Sequence, residues 1–186
     1  MKTIPFTTLE SERLILREPG PADVPAIVRH AGDPRVALKT TAMPHPYFQS
    51  HAREWLGTIR EEHARGDAFT YAIERKTEPG MIGVISMTLR EDRCSAEIGY
   101  WLGVRHWRRG IMTEALRQIL RHGFDELGLL YLTANHMAGN PASGRVMEKA
   151  GMKFENVVHG GLIRGNTAHD RVNFGLFADE WRDHQT

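Results

Sequence analysis

Three strand-like segments follow one another between Phe69 and Gly103, with only short polar turns between them. "FTYAIER" begins at Phe69, "MIGVISMTLR" at Met81 and "AEIGYWLG" at Ala96; "KTEPG" and "REDRCS" separate them. Runs this short, rich in β-branched and aromatic residues, fit strands joined by turns. The period then changes. Leu116, Ile119, Leu120, Phe124 and Leu127 form a helical stripe that stops at Gly128, and "LLYLTANH" returns to strand. Successive strands joined by turns pair antiparallel, whereas strand–helix–strand brings in a parallel pair. The chain must therefore build a mixed sheet.

The flanks extend the pattern. "RLILRE" (Arg13 to Glu18) is a short strand. Val24, Ile27, Val28 and Ala31, then Ala52, Trp55, Leu56 and Ile59, mark two amphipathic helices around the proline-bearing loop "MPHPY". "NPASGRVMEKAG" (Asn140 to Gly151) is a capped short helix. The remainder, "KFENVVHGGLIRGNTAHDRVNFGLFADEW", predicts two or three strands turning at "HGG" and "RGN". The order β-α-α-β-β-β-α-β-α-β-β predicts an α/β (α+β) fold. It is a single domain with a mostly antiparallel mixed sheet and helices on both faces.

Composition excludes several classes. A chain of 186 residues, 41% hydrophobic and 25% charged, can close one sizeable core. A net charge of +1 lacks the basic excess of a general nucleic-acid binder. One cysteine, Cys94, excludes an internal disulfide framework and a multi-cysteine zinc site, and its polar turn makes it a poor nucleophile. The ten histidines include no His-x-x-x-His helix pair, and His159 and His169 bracket a turn, so no metal is expected. "MKTIPFTTLESERL" has no apolar run typical of a leader, and no window approaches a membrane span, so a cytoplasmic location is the default.

The candidate chemistry lies in "WLGVRHWRRGIMTEAL", Trp101 to Leu116. A strand hands over to a helix through four basic or imidazole side chains and one glycine, Gly110. Four N–H groups at a helix start lack internal partners and carry about half a positive charge. A glycine lets an anion come close. The stretch has neither the Gly-Lys-Ser/Thr of a P-loop nor the extra glycines of a dinucleotide fingerprint. On these residues alone, an anion site and a solvated turn stand level. The second helix adds Asn140 as N-cap, Pro141 at the first helical position and the Ser143 hydroxyl in the first turn; alone it is simply a capped helix.

Together these two segments resemble the GNAT superfamily of acyl-CoA-dependent N-acetyltransferases, most of all the branch with the ribosomal-protein N-terminal (RimJ/RimL-type) acetyltransferases. The superfamily's Gln/Arg-x-x-Gly-x-Gly/Ala motif falls on "WRRGIM"; "MPHPY" and the closing "HDRVNFGLFADEW" are also similar. The resemblance runs from about Thr8 to Trp181 and implies one acetyltransferase domain over residues 8–181. It implies that the backbone of Arg108, Arg109, Gly110, Ile111, Met112 and Thr113 cradles the pyrophosphate of acetyl-CoA. Leu102 and Val104 would pair by main chain with the pantetheine arm, and Asn140 and Ser143 would line the same co-substrate. Trp107 replaces the first motif residue. Met112 stands where Gly or Ala is usual, either crowding the pyrophosphate or turning into the core. Met147 occupies the place of a tyrosine acid found in many members.

Direct transfer in a ternary complex asks for a neutral amine, an N–H donor for the thioester oxygen and a proton for the leaving thiolate. The backbone near Leu102 is the expected donor. Ser143 is either the proton source or a co-substrate contact. Glu97 is the candidate base or amine anchor, set against an exposed strand carboxylate. An α-amino group, with a pKa of roughly 7.7–8.0, is already partly neutral at pH ~7, whereas a lysine amine near ~10.4 is not. A protein or peptide α-amine is therefore the preferred acceptor. A small amine is the alternative within the enzyme class, and a non-catalytic acyl-CoA-binding module the rival outside it. His136 is either a surface residue or faces the acceptor. Tyr100 and Trp101 are expected as core and groove wall, Trp55 and the "MPHPY" loop as packing or the acceptor border, and Arg117 and Arg121 as a solvated face. The oligomeric state is left open.

Overall fold

The computed structural model describes residues 6–183. Residues 1–5, the start of the segment expected to carry no leader, lie outside it. Eight strands form one sheet: β1 (Leu9–Glu10), β2 (Leu14–Arg17), β3 (Ala68–Arg75), β4 (Glu78–Leu89), β5 (Ser95–Leu102), β6 (Tyr131–Met137), β7 (Lys153–Arg164) and β8 (Thr167–Phe177). Their spatial order is β1-β2-β3-β4-β5-β6-β8-β7. Every neighbouring pair is antiparallel except β5–β6.

Alternation along the strands sends side chains into two cores. Tyr71, Ile73, Ile85, Met87, Ile98 and Leu132 join the larger cluster with α4 (Ile111–Arg121) and α5 (Pro141–Ala150). Ala72 and Val84 point to the opposite face, against α1 (Val24–Ala31) and α3 (Gln49–Arg65). A register shift at Ile73–Glu74 inverts the alternation, so Ile82 faces the first cluster and Met81 the second. An eleven-residue helix such as α4 is marginal alone. Burial of Ile111, Met112, Ala115, Leu116, Ile119 and Leu120 holds it, at about 1.5–3 kcal/mol for each large side chain.

The structure adds the two-residue strand β1, which the sequence pattern does not predict, and differs from the sequence expectations in four further places. A short α2 (Pro34–Ala37) follows α1, because Asp33 caps the Arg35 N–H at 2.9 Å and Pro34 takes the first position. The helix of α4 ends at Arg121 and continues as a wider π turn, with the Leu127 N–H reaching the His122 carbonyl at 3.0 Å. "HGG" is a bulge within β7 rather than a turn. The Asp170 carboxylate holds the Gly160 N–H at 3.0 Å and the His159 ring at 3.1 Å, while Gly160 adopts φ +63°. "ADEWRD" is a closing helix, α6 (Ala178–Asp183), docked by Trp181 Nε1 on Asp125 at 3.0 Å.

One polar anchor ties β2 to α1. Asp23, 5% exposed, takes both Arg17 Nη atoms at 2.8 and 2.9 Å and the Gly20 N–H at 2.9 Å, while Arg17 Nε reaches Glu74. Burial pushes the Asp23 carboxyl up; the Arg17 and Gly20 hydrogen bonds outweigh it and hold the group below its usual value. Such a lowered carboxyl stabilises the fold above its unfolded pKa, and that contribution disappears as pH falls through the folded value. Asp23→Ala is expected to cost about 2–3 kcal/mol, below the full buried-pair figure because Arg17 is partly exposed. In a thermal melt at neutral pH this lowers Tm by about 5–10 °C, and the gap to the wild type should narrow as the pH drops below the ordinary carboxylate range. An equal gap at acid and neutral pH would remove the ion pair as the cause.

Candidate active site

At the end of β5 the ladder with β4 closes with Gly83 opposite Leu102 and the Gly103 N–H on the Ile82 carbonyl at 2.9 Å. A single 3₁₀ turn, Val104–His106, leads into Trp107 and then into two left-handed residues, Arg108 at φ +60° and Gly110 at φ +73°. Gly110 is the N-cap of α4. The left-handed conformation costs glycine nothing but strains an arginine, and such strain collects at functional turns. The first helical bond is the Glu114 N–H on the Gly110 carbonyl at 3.0 Å. Among the described residues, the N–H groups of Arg108 to Thr113 meet no acceptor. The residues that carry them line a cavity of about 1320 Å³, larger than the ~300–1,000 Å³ of a compact drug-sized site.

The turn is pinned from outside. Glu114 accepts from Ser11 Oγ at 2.7 Å, the Arg13 N–H at 2.9 Å and Arg13 Nε at 2.6 Å; Arg13 Nη1 also reaches the Arg109 carbonyl. Burial pushes the Glu114 carboxyl up, but Ser11 and Arg13 hold it below its usual value. Beneath the turn, His30 and His106 stand edge to face with ring centroids 5.8 Å apart. Burial, with Arg105 nearby, lowers His30 to about 4, so the imidazole is neutral there at ordinary pH. Gly103 is required at this contact, since a Cβ would lie 2.5 Å from His30 Nδ1.

The parallel pair β5–β6 is registered only from Ser95–Tyr131 to Ile98–Ala134, although β5 runs on to Leu102 and β6 to Met137. The two strands therefore part beyond Ile98. The Gly103 N–H points to β4, so strand alternation turns the main chain of Leu102 and Tyr100 into the opening. The Leu102 carbonyl is engaged there by Trp107 Nε1 at 2.7 Å, leaving the Leu102 N–H as the donor in the gap.

On the α4/α5 face, the start of α5 closes the cavity. Asn140 holds the N-cap position with φ −125° and ψ 60°, but its side chain makes no capping bond; its carbonyl takes the Ser143 N–H instead. Its amide is thus left beside the cavity that it lines. Ser143 Oγ lies 2.8 Å from Tyr100 Oη, which is also 3.1 Å from the Ser143 carbonyl. Burial pushes the Tyr100 phenol well above its ordinary value, only partly offset by Ser143, so it keeps its proton. Met147 is 1% exposed. No phenol enters from that position; the one present comes from β5.

Leu102, Arg108, Arg109, Gly110, Ile111, Met112, Thr113, Asn140 and Ser143 thus line one cavity. Met112 is buried in the core, which favours the second of its two expected roles. Val104 departs from expectation. It lies past the strand end, does not line the cavity, and its carbonyl already takes the Trp107 N–H. Arg117, Arg145 and Lys149 also line the cavity; Arg117 is exposed, as expected of a solvated helix face, and donates from there to the Lys149 carbonyl at 2.5 Å. His136, expected on the surface or facing the acceptor, is 9% exposed and turned toward α5, where Gly144 leaves room for its ring.

Glu97 points to the other face of the sheet, since its neighbours Ala96 and Ile98 belong to the α4/α5 core. It is exposed, accepts from Asn135 Nδ2 at 2.9 Å and lies 3.8 Å from Arg90. Among the described residues, no group of three or more His, Cys, Asp or Glu side chains could hold a metal, and no helix is long and apolar enough to cross a membrane.

Comparison with known proteins bears on this geometry. A family model described as the acetyltransferase (GNAT) domain matches residues 13–153. The probable N-acetyltransferase YjcK of Bacillus subtilis is 32% identical over 141 residues, 75% of this chain and 71% of that protein. The [ribosomal protein uS5]-alanine N-acetyltransferase of Escherichia coli is 25% identical over 183 residues, 96% of this chain and 94% of that one. Among solved structures, RimL, a ribosomal L7/L12 alpha-N-protein acetyltransferase in complex with coenzyme A, superposes with a TM-score of 0.82 at 23% identity, covering 94% of this chain and 99% of its own. A glycine-started helix with free N–H donors, a parted parallel strand pair and a family match across most of the chain agree: the protein belongs to the GNAT acetyltransferases and is an N-acetyltransferase with acetyl-CoA as co-substrate.

Proposed function

We infer that the acceptor is the α-amine of a protein or peptide N-terminus. The observation that carries this is the uncovered polar half of the sheet. The turn before α4 and the start of α5 border the parted strands on one face, and the same cavity continues past Trp101 to Arg35 and Lys39 on the other, the side from which the amine arrives. There Thr88, Glu97 and Gly99 are exposed and Ser86 and Asn135 half-buried, forming an open floor rather than a closed pocket. An open floor suits an extended chain better than an enclosed small molecule. The uS5-alanine and L7/L12 acetyltransferases among the similar proteins support the same class.

In this proposal the N–H groups of Arg108 to Thr113 hold the diphosphate, with Arg108 and Arg109 adding charge. The Leu102 N–H faces the thioester oxygen. The amine nitrogen bonds to the acyl carbon as the carbon–sulfur bond breaks. Ser143 Oγ gives its proton to the departing sulfur and regains one from water once coenzyme A has left, while Tyr100 Oη, which keeps its own proton, holds the hydroxyl in place. Glu97 takes the amine's proton through water, and Asn135 fixes the carboxylate's position.

The test is thiol release with N-terminal peptides, lysine side-chain amines and small amines, across pH. Peptide α-amines should be turned over best. Glu97→Gln should lower kcat about 10-fold, most at low pH, where more of the amine is protonated. A preference for small amines would overturn the peptide assignment, and acetyl-CoA binding without any turnover would favour a non-catalytic module. An effect of Glu97→Gln that stays flat with pH would remove it as base.

A further inference from the structure

Arg171 is a cation that the reaction described above does not use. It lies on β8, opposite Met137 of β6 and Val158 of β7. Strand alternation sets it on the same sheet face as Asn173, Asn135 and Glu97, since the intervening Val172 and Phe174 face the α4/α5 core. The side chain is half-buried. Its Nε is shielded from solvent and has no acceptor, and among the described residues the guanidinium has no hydrogen-bond or ion-pair partner. Its neighbour in sequence, Asp170, faces the other way and is occupied by His159 and Gly160. Glu97, the carboxylate already placed on this face, is held by Asn135 and Arg90. Gly161 leaves room for Arg171, since a Cβ there would lie 3.0 Å from the Arg171 Cβ. A charged side chain without an acceptor is costly to keep; the accessible part of the half-buried guanidinium is what a bound acid would meet.

The position fits the acceptor's path. The strands part at Ile98–Ala134, and Met137, beside Arg171, is three residues further along β6, or ~10 Å at strand spacing. A peptide lying extended with its amine at the gap advances ~3.3 Å per residue. A carboxylate on its second or third residue comes level with the guanidinium, which binds such groups through paired N–H donors. The loop following α2 closes this end of the floor. Arg164 at the β7–β8 turn holds the Met43 carbonyl at 3.2 Å, and His169 and Met43 border a smaller cavity of about 510 Å³.

Resting on the peptide α-amine assignment, we propose that Arg171 selects acceptors carrying an acidic side chain on the second or third residue. The experiment compares peptides that differ only in Asp or Glu against Asn or Gln at those positions. The acidic peptides should show a KM ~10-fold lower, the size of one charge-assisted contact. Arg171→Gln should abolish that ratio, and Arg171→Lys should keep part of it. Acetyl-CoA affinity, measured on each variant, should be unchanged and reports that the fold is intact. Turnover without acid preference, or a preference that survives Arg171→Gln, overturns the role of Arg171 and leaves the acceptor class standing. No turnover of any peptide overturns both.

Discussion

Replacing Gly110 by valine should weaken acetyl-CoA binding about 100-fold in a calorimetric titration. Nothing inside the protein blocks the new side chain, because the nearest atom to a Cβ there, Arg13 Nη2, is 3.5 Å away. The loss comes from the backbone. A β-branched residue at φ +73° is strained, and relief rotates the first turn of α4 and its unpaired N–H groups away from the cavity. Each charge-assisted hydrogen bond to an anion contributes about 1.5–3 kcal/mol, so losing two accounts for the expected change. Thermal stability should fall by about 2–10 °C with the fold retained, since one left-handed residue costs ~1–3 kcal/mol. Wild-type affinity in a folded variant would show that the anion is held elsewhere.

Ser143→Ala should lower kcat by about 10²-fold, with little change in acetyl-CoA affinity. General acid catalysis spans about 10²–10⁴-fold, and a thiol is already a fair leaving group at a pKa near ~8.5, which argues for the lower end. Tyr100→Phe should cost about 10-fold, because Ser143 keeps its own hydroxyl and loses only the 2.8 Å partner behind it. The double variant should resemble Ser143→Ala alone if the two hydroxyls act in series. A kcat within twofold of wild type for Ser143→Ala would reduce the residue to a wall of the cavity.

The turn at Gly110 and the helix start at Asn140–Pro141 are legible in the chain because glycine and proline have steric roles that hold locally, whereas the side-chain cap expected of Asn140 does not form. The same locality explains what was not visible. Tyr100 has the spacing of a core residue, and only the docking of α5 beside β5 gives its phenol a serine. His136 follows a strand like any surface residue, and its turn toward α5 depends on Gly144 eight positions later. Arg171 has no motif around it, and it stands out only once the hydrogen bonds show that Asp170 and Glu97 are both occupied. The "HGG" segment has turn residues, yet Asp170 from the neighbouring strand keeps it within β7.

The single parallel contact in this sheet also governs traffic. The antiparallel pairs β3–β4, β4–β5 and β7–β8 are each tied at one end by a turn, which closes that end to passage. A crossover helix joins β5 to β6 and leaves their far ends untied, with no strand between them. The slot so formed is reached from both sides of the sheet. If the acceptor lies on the open floor as proposed, coenzyme A and the acetylated product have separate exits, and neither has to wait for the other to clear the way.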